Sequence, residues 1–276
     1  MQEYLLEFQQ VSYVYPGAKQ SALSNLNLKI PLHKKCAVIG QNGCGKTTLF
    51  LLANGLYQPQ KGIIYWQGKP LKYNHQSLAD LRQKVGLIFQ DPEQQLVAST
   101  VEEDISYGLC NLGLPMAEIQ KRVEQALLEF ELIEFAERPV HHLSLGQKKR
   151  VSIADVMILK PELLLLDEPT AYLDQLHTRN LMATLKKIHA DGTTILMATH
   201  DLDLVYRWAD WIFVMDKGQL VLEGNPQDVF SQREFLEELQ LGVPFVYKIL
   251  FSEWNDLEPP VLKQLKEKIW NLFSPL

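Results

Sequence analysis

Cysteine is scarce and unpaired in this chain of 276 residues: Cys36, Cys44 and Cys110 are odd in number, and none stands in a CxxC spacing. That leaves no disulfide framework and no thiolate zinc site, and it fits a reducing compartment such as the cytosol. Long apolar runs are missing as well. None approaches the roughly 20 residues that span a bilayer, so a membrane role has to come through a partner. Nor is there a basic excess. The formal net charge is −6, whereas a surface that tracks phosphate backbones carries a surplus of Lys and Arg, so nucleic acid is not an expected partner. The amino terminus, MQEYLLEFQQ, has no basic leader and carries Glu3 and Glu7 among its apolar residues, which reads as a strand and not as a signal peptide. No segment repeats with a period of about 20 to 50 residues, and no low-complexity tract interrupts the chain.

What is present is enough apolar material for an ordinary core, 46% of residues, arranged as alternating strands and helices. Tyr4 to Ile30 reads as short strands around a Pro16-Gly17 turn, an edge sheet. Cys36 to Ile39 is a continuous apolar run, the pattern of a strand buried on both faces of a parallel sheet. Further core strands are expected at Gly86 to Phe89, Leu163 to Leu166, Thr194 to Ala198 and Ile212 to Met215. A hairpin through Asp216-Lys217-Gly218 then leads into Gln219 to Leu222. Between Gln90 and Leu143 the pattern turns helical, with Ile119, Val123, Ala126, Leu127 and Phe130 on one face. Helices are also expected over Gln227 to Leu241 and Val261 to Phe273, the latter with a stripe of Val261, Leu265, Ile269 and Phe273 that packs on its own core or meets a partner.

Gly40-Gln41-Asn42-Gly43-Cys44-Gly45-Lys46-Thr47 matches G-x-x-x-x-G-K-[ST], with a buried strand before it and a helix from Thr47 to Ala53 after it. Glycines let the backbone turn its N–H groups onto a β-phosphate, and the helix N-terminus adds its dipole. Lys46 supplies a charge to the β and γ oxygens, and the Thr47 hydroxyl is placed for Mg²⁺; Thr48 follows as a further nucleotide-binding candidate. Cys44 reads either as a small residue standing where serine or alanine often sits, or as a thiol made reactive by the helix terminus. Leu163 to Leu166 ends in Asp167-Glu168, two carboxylates with two jobs: Asp167 for the metal through water, Glu168 to take a proton from an attacking water.

The stretch His142-Leu143-Ser144-Leu145-Gly146-Gln147-Lys148-Lys149-Arg150 resembles the LSGGQ signature of ABC ATPases, and it lies shortly before the Asp167-Glu168 strand as in that family. Ser144 suits the cap of a following helix, and Gly146 leaves exposed N–H groups. The resemblance implies that Ser144, Leu145, Gly146 and Gln147 face the γ-phosphate of ATP bound to an opposing subunit, two nucleotides being sandwiched head to tail. Leu145 departs from the usual glycine. With Gly146 kept the site is expected to work; a Leu145 that blocked the phosphate would leave binding without hydrolysis. The same resemblance implies a catalytic and metal-sensing role for Gln90, a D-loop at Ala171 to Asp174 that touches the other subunit, a switch histidine at His200, and an aromatic at Tyr15 that stacks on adenine, with Tyr13 competing.

The implied fold is α/β, a P-loop NTPase cassette with a RecA-like core, an N-terminal antiparallel β-subdomain, a helical signature subdomain and a C-terminal helical extension. The expected division is a cassette over residues 1–226, with the helical subdomain at about 91–145, and an extension over 227–276. Phe89-Gln90-Asp91-Pro92-Glu93-Gln94-Gln95-Leu96, Ser99 to Ile105, Asn111 to Pro115 and, in the tail, Glu223 to Phe230 with Leu239 to Pro244 look like the ATPases of energy-coupling factor importers, especially those for cobalt or nickel. That resemblance implies ATP and Mg²⁺ as cofactors and a dimer of ATPase subunits, a homodimer or a heterodimer with a related chain. It also implies a transmembrane coupling protein, a small substrate-binding membrane protein, and a peripheral place on the cytoplasmic face of the cell membrane. The cargo is then a metal ion, otherwise a vitamin. The rivals are the ATPase of a conventional ABC transporter with a separate binding protein and a soluble ABC ATPase unconnected with transport.

Overall fold

A computed structural model describes residues 3–251, together with Gln264 and Lys268. Apart from these two positions, the expected helix from Val261 to Phe273 lies outside the described residues. The chain opens with β1 (Tyr4–Tyr13) and β2 (Leu23–Pro31), paired antiparallel, with Glu7 opposite Lys29 and their side chains 3.2 Å apart. β3 (Lys35–Ile39) then enters the interior, where Cys36, Ala37, Val38 and Ile39 are wholly buried. It feeds the glycine loop and α1 (Lys46–Ala53). β4 (Lys61–Trp66) and the short β5 (Lys69–Pro70) return to the first sheet, and α2 (His75–Lys84) leads into β6 (Val85–Ile88).

Next come the helices α3 (Val101–Asn111), α4 (Met116–Glu129) and α5 (Leu145–Met157). Thr100 starts α3 with a capping box completed by Glu103, two reciprocal bonds that satisfy otherwise unpaired N–H groups. On α4 the expected stripe is the buried one: Ile119, Val123, Ala126 and Leu127, with Phe130 just beyond, all face the core. The chain then alternates β7 (Leu163–Asp167), α6 (Gln175–Ala190), β8 (Thr194–Ala198), α7 (Leu202–Trp208), β9 (Trp211–Asp216) and β10 (Gln219–Gly224). It continues through α8 (Pro226–Ser231), α9 (Arg233–Glu238) and α10 (Phe245–Phe251).

Two sheets result. One is antiparallel, in the order β2-β1-β4-β5; the other, β10-β9-β3-β8-β7-β6, is parallel except for the β9-β10 hairpin. The parallel strands divide their side chains between two cores. Ala37, Ile39, Leu164, Leu166, Ile195 and Met197 point to the side where the helical segment packs, while Cys36, Val38, Leu163, Leu165, Leu196 and Ala198 join the antiparallel sheet. A sheet covered on both faces leaves its strand ends as the open place for a ligand, at the carboxyl side of the parallel strands.

Two expected boundaries move. The strand placed at Gly86 to Phe89 runs one residue earlier, so Phe89 and Gln90 belong to the loop after it. The continuous helix expected over Gln227 to Leu241 is two helices parted at Gln232, whose φ, ψ of −81°, 52° is not helical. The turn lets Phe230 and Leu236 both bury completely, which one straight helix would not direct to the same core. The segment from Lys61 to Lys84, here two strands and a helix, carried no clear periodicity in the sequence.

Candidate active site

The loop between β3 and α1 has room for backbone only. A Cβ on Gly40 would stand 2.3 Å from the Met215 carbonyl oxygen, and one on Gly45 would stand 2.7 Å from that of Ala22, with Gly45 at φ +108° in the left-handed region. Lys46, the first residue of α1 and nearly buried, folds its ammonium back across the loop to donate to the carbonyls of Gly40 at 2.8 Å and Gln41 at 3.1 Å. A positive charge is thereby fixed at the loop's centre. Gln41, Asn42 and Gly43 form its exposed tip. The Gln41 side chain is tied elsewhere, donating to the carbonyl of Leu239 at 2.8 Å and to Gln240 Oε1 at 3.1 Å. Cys44 is buried, and burial raises its thiol above the ordinary range against the pull of Lys46, which favours the small-residue reading over a helix-activated thiol.

The ends of β7 and β8 deliver the polar groups beside this loop. Thr47 Oγ1 donates to Asp167 Oδ2 at 2.7 Å. Burial pushes the Asp167 carboxyl upward, opposed chiefly by that hydrogen bond. Glu168, also buried, sits at φ +45°, a conformation that costs a non-glycine residue and marks a position held by its surroundings. Its N–H donates to the Ala198 carbonyl at 2.9 Å, and its Oε2 lies 2.9 Å from His200 Nδ1, the exposed imidazole reaching back to the buried carboxylate. With a carboxylate as neighbour, Nδ1 carries the proton and Nε2 is left toward solvent. Thr47, Asp167 and Gln90 offer oxygen donors only, the hard ligand set that Mg²⁺ takes, and a partly desolvated Asp167 is a carboxylate that gains from a cation. Among the described residues no cluster of three His, Cys, Asp or Glu side chains is placed to hold a metal alone, so an ion here needs phosphate or water as well.

Tyr15 hangs over the start of α1. Its hydroxyl shares a 3.0 Å hydrogen bond with Thr48 Oγ1, and its half-buried ring meets Tyr13 and Tyr57 edge-on. Tyr13 and Tyr57 stack on each other at 5.2 Å, and Tyr13 is buried. Of the two candidates, Tyr15 has a face to offer a flat ligand, and Tyr13 serves as its backing.

The signature residues assemble separately. Ser144 caps α5 in a second capping box: its Oγ accepts the Gln147 N–H at 3.3 Å and Gln147 Oε1 accepts the Ser144 N–H at 2.8 Å. Leu145 is half-buried. Gly146 abuts His177, whose ring carbon Cδ2 would stand 2.7 Å from any Cβ placed there. Asp174 caps α6 and holds that same ring through a 2.8 Å contact between Oδ1 and Nδ1. Ser144, Leu145, Gly146, Gln147 and Asp174 thus make one group, with Ser144 and Asp174 exposed and the other three half-buried, and among the described residues no hydrogen bond joins it to the phosphate loop. Gln90 is exposed two residues beyond β6.

One participant was missed in the sequence. Lys149 is 3% exposed, and its ammonium donates to the Gln90 carbonyl at 2.9 Å and to the Glu168 carbonyl at 3.4 Å. The available signal was a lysine on the buried face of α5, four residues before Ile153.

The geometry has counterparts. A family model described as ABC transporter matches residues 23–171. A protein of Nostoc sp. that carries the provisional name ABC transporter ATP-binding protein is 70% identical over 92% of each chain. The energy-coupling factor transporter ATP-binding protein EcfA of Methanocaldococcus jannaschii is 42% identical over 90% of this chain and 88% of its own. The cobalt import ATP-binding protein CbiO of Salmonella paratyphi A is 43% identical over 83% and 85%. Among solved structures, cbiO1 of Clostridium perfringens, described as part of the transporter complex cbiONQ, superposes with a TM-score of 0.76 at 37% identity, over 96% of this chain and 99% of that one. A dimeric cassette in a post-hydrolysis state with ADP and phosphate gives 0.73 at 27% identity, over 80% and 99%.

Proposed function

Because the chain belongs to the ABC transporter family of ATP-binding subunits, which are ATPases, we propose that it is the ATP-hydrolysing subunit of an energy-coupling factor importer. The observation that carries the chemistry is the pairing of Glu168 with His200 at 2.9 Å next to the Thr47–Asp167 bond of 2.7 Å. The loop N–H groups and Lys46 take the β- and γ-phosphates, and Tyr15 takes the adenine. Glu168 accepts the proton of the attacking water, and His200, held by that carboxylate, orients it. Mg²⁺ held through Thr47, Asp167 and Gln90 would offset the charge of the phosphates. Ser144 and Gly146, lying apart from their own loop, are supplied to the nucleotide of a second copy, so that ATP closes a dimer and its hydrolysis reopens it.

The coupling to transport is read from the surface. Leu56 and Tyr107, 44% and 54% exposed, line with Phe89 a groove between the sheet and α3, and Val97, 68% exposed, stands on the neighbouring loop. An exposed apolar groove at the junction of the two parts suits a short helix offered by a transmembrane coupling protein. No helix among the described residues is long and apolar enough to cross a membrane itself, which suits a peripheral subunit on the cytoplasmic face. The name of the relative CbiO favours cobalt as cargo; nickel and a vitamin are the other choices, and a small membrane protein would carry it. The division into a cassette up to 226 and an extension from 227 belongs to this reading.

Affinity purification of the tagged subunit from gently solubilised membranes tests the proposal. Recovery of a multi-span protein with a second small integral membrane protein, and no separate binding protein, supports it. A conventional permease pair assigns the chain to that transporter type, and ribosomes or DNA-bound factors without membrane proteins overturn the transport role.

A further inference from the structure

Lys149 is a buried cation without an ion pair. Among the described residues no carboxylate lies within salt-bridge distance of it; its ammonium is spent on two main-chain carbonyls, those of Gln90 and Glu168. Burial draws its ammonium down to about 8, while Asp91, Glu168 and Asp167 favour its charge from further away. Such a group is an expensive way to pack a helix, since an apolar side chain of the same length would fill the space without desolvating a charge. Its neighbour Lys148 shows the ordinary arrangement, an ion pair with Glu93 near the surface.

What Lys149 holds is therefore informative. The two carbonyls belong to residues far apart in sequence, one in the loop after β6 and one at the end of β7. Glu168 is the residue whose left-handed backbone needs outside support. Its N–H is fixed by Ala198 and its carbonyl by Ala171 N–H at 3.1 Å, with Lys149 as the charged partner of that same carbonyl. Lys149 in turn sits on α5, five residues after the cap Ser144 and three after Gly146. One side chain spans all three.

We propose that Lys149 is a positioning residue: through the carbonyls of Gln90 and Glu168 it ties the helix bearing Ser144 and Gly146 to the main chain of the general base. Seating of α5 against a second copy's nucleotide thereby fixes where the Glu168 carboxylate points. The proposal rests on the role given above to Glu168. It differs from a packing role because the bonds run to the base and to the glutamine loop, not to the helical core.

Lys149→Met keeps length and apolar volume and removes both bonds. In the full-length protein, steady-state ATP hydrolysis is expected to lose about 10- to 100-fold in kcat, the scale of a misplaced reacting group, with KM for ATP within about threefold and an undiminished Tm. Lys149→Arg is expected to regain most of kcat, because a guanidinium reaches both carbonyls and the roughly 350 Å³ cavity that Lys149 lines between α5 and α6 gives it room. Should Lys149→Met not fold, Lys149→Gln, which keeps one donor, replaces it and is expected to lie between. Unchanged kcat in the methionine or glutamine variant overturns the proposal, as does a loss of kcat matched by a fall in Tm and not restored by arginine. Glu168→Gln is measured alongside: if it still turns over at the wild-type rate, the base assignment itself fails, a result distinct from any behaviour of Lys149.

Discussion

His200 Nδ1 lies 2.9 Å from Glu168 Oε2, across the ends of two adjacent parallel strands. The exposed partner of this pair reaches solvent and the buried one stands beside Asp167 at the end of β7, which suits the proposed role of Glu168 as acceptor of a proton from water. Glu168→Gln keeps the shape and removes the proposed base. It is expected to lower kcat by at least about 100-fold while leaving ATP binding intact, and to shift the protein to a dimer on size-exclusion chromatography with ATP. Turnover at the wild-type rate would take the base away from Glu168.

Tyr15 and Tyr13 separate by burial. Tyr15→Ala is expected to weaken ATP binding about tenfold, as loss of one stacking face does, with Tm nearly unchanged; Tyr15→Phe should bind normally. Tyr13→Ala opens a cavity under the aromatic trio and is expected to cost about 3 kcal/mol of stability. Nucleotide titration and thermal melts on the three variants decide it. Normal binding in Tyr15→Ala would remove that ring from the adenine.

Gly146→Ala places a methyl group against the His177 ring, which Asp174 holds in position. The expected cost is about 1 kcal/mol, and it should vanish when His177 is replaced by alanine as well, a coupling readable from a double-mutant cycle. Additive losses would mean that the ring yields freely.

Asp155 has a carboxyl that burial raises to about 7, although Gln95 donates to it at 3.2 Å. Folded protein therefore binds a proton there that unfolded protein has released, between the ordinary carboxylate range and pH 7. The sign follows: this group's contribution to stability falls as pH rises through that window and levels off above it. Asp155→Asn removes the dependence, so its Tm relative to wild type should climb from pH 5 to pH 7 and then hold. A constant difference across that range would show that Asp155 ionises normally.

Much of this was legible in one dimension. Cys36 to Ile39 is continuous and apolar because both faces of its strand are covered, and the glycine loop must follow a strand and open a helix for its N–H groups to converge. Those requirements are local, so they are written locally. The segment from Lys61 to Lys84 was opaque for the opposite reason: α2 buries Leu81 alone, and Ile63 on β4 is 46% exposed, so neither a period of 3.6 nor one of 2 stands out. Lys149 escaped notice because its partners lie 59 and 19 residues away, and a lysine beside another lysine reads as solvated until the packing of α5 is known.

The hydrogen bonds from Gln41 to Leu239 and Gln240 cross 198 and 199 residues of chain. They make a heritable pair of two stretches usually considered apart: the exposed tip of a nucleotide loop and the tail behind the last sheet strand. Exchange of tails between related proteins should then be tolerated best when position 41 travels with them, and substitutions at 41 and 240 should tend to appear in the same lineages.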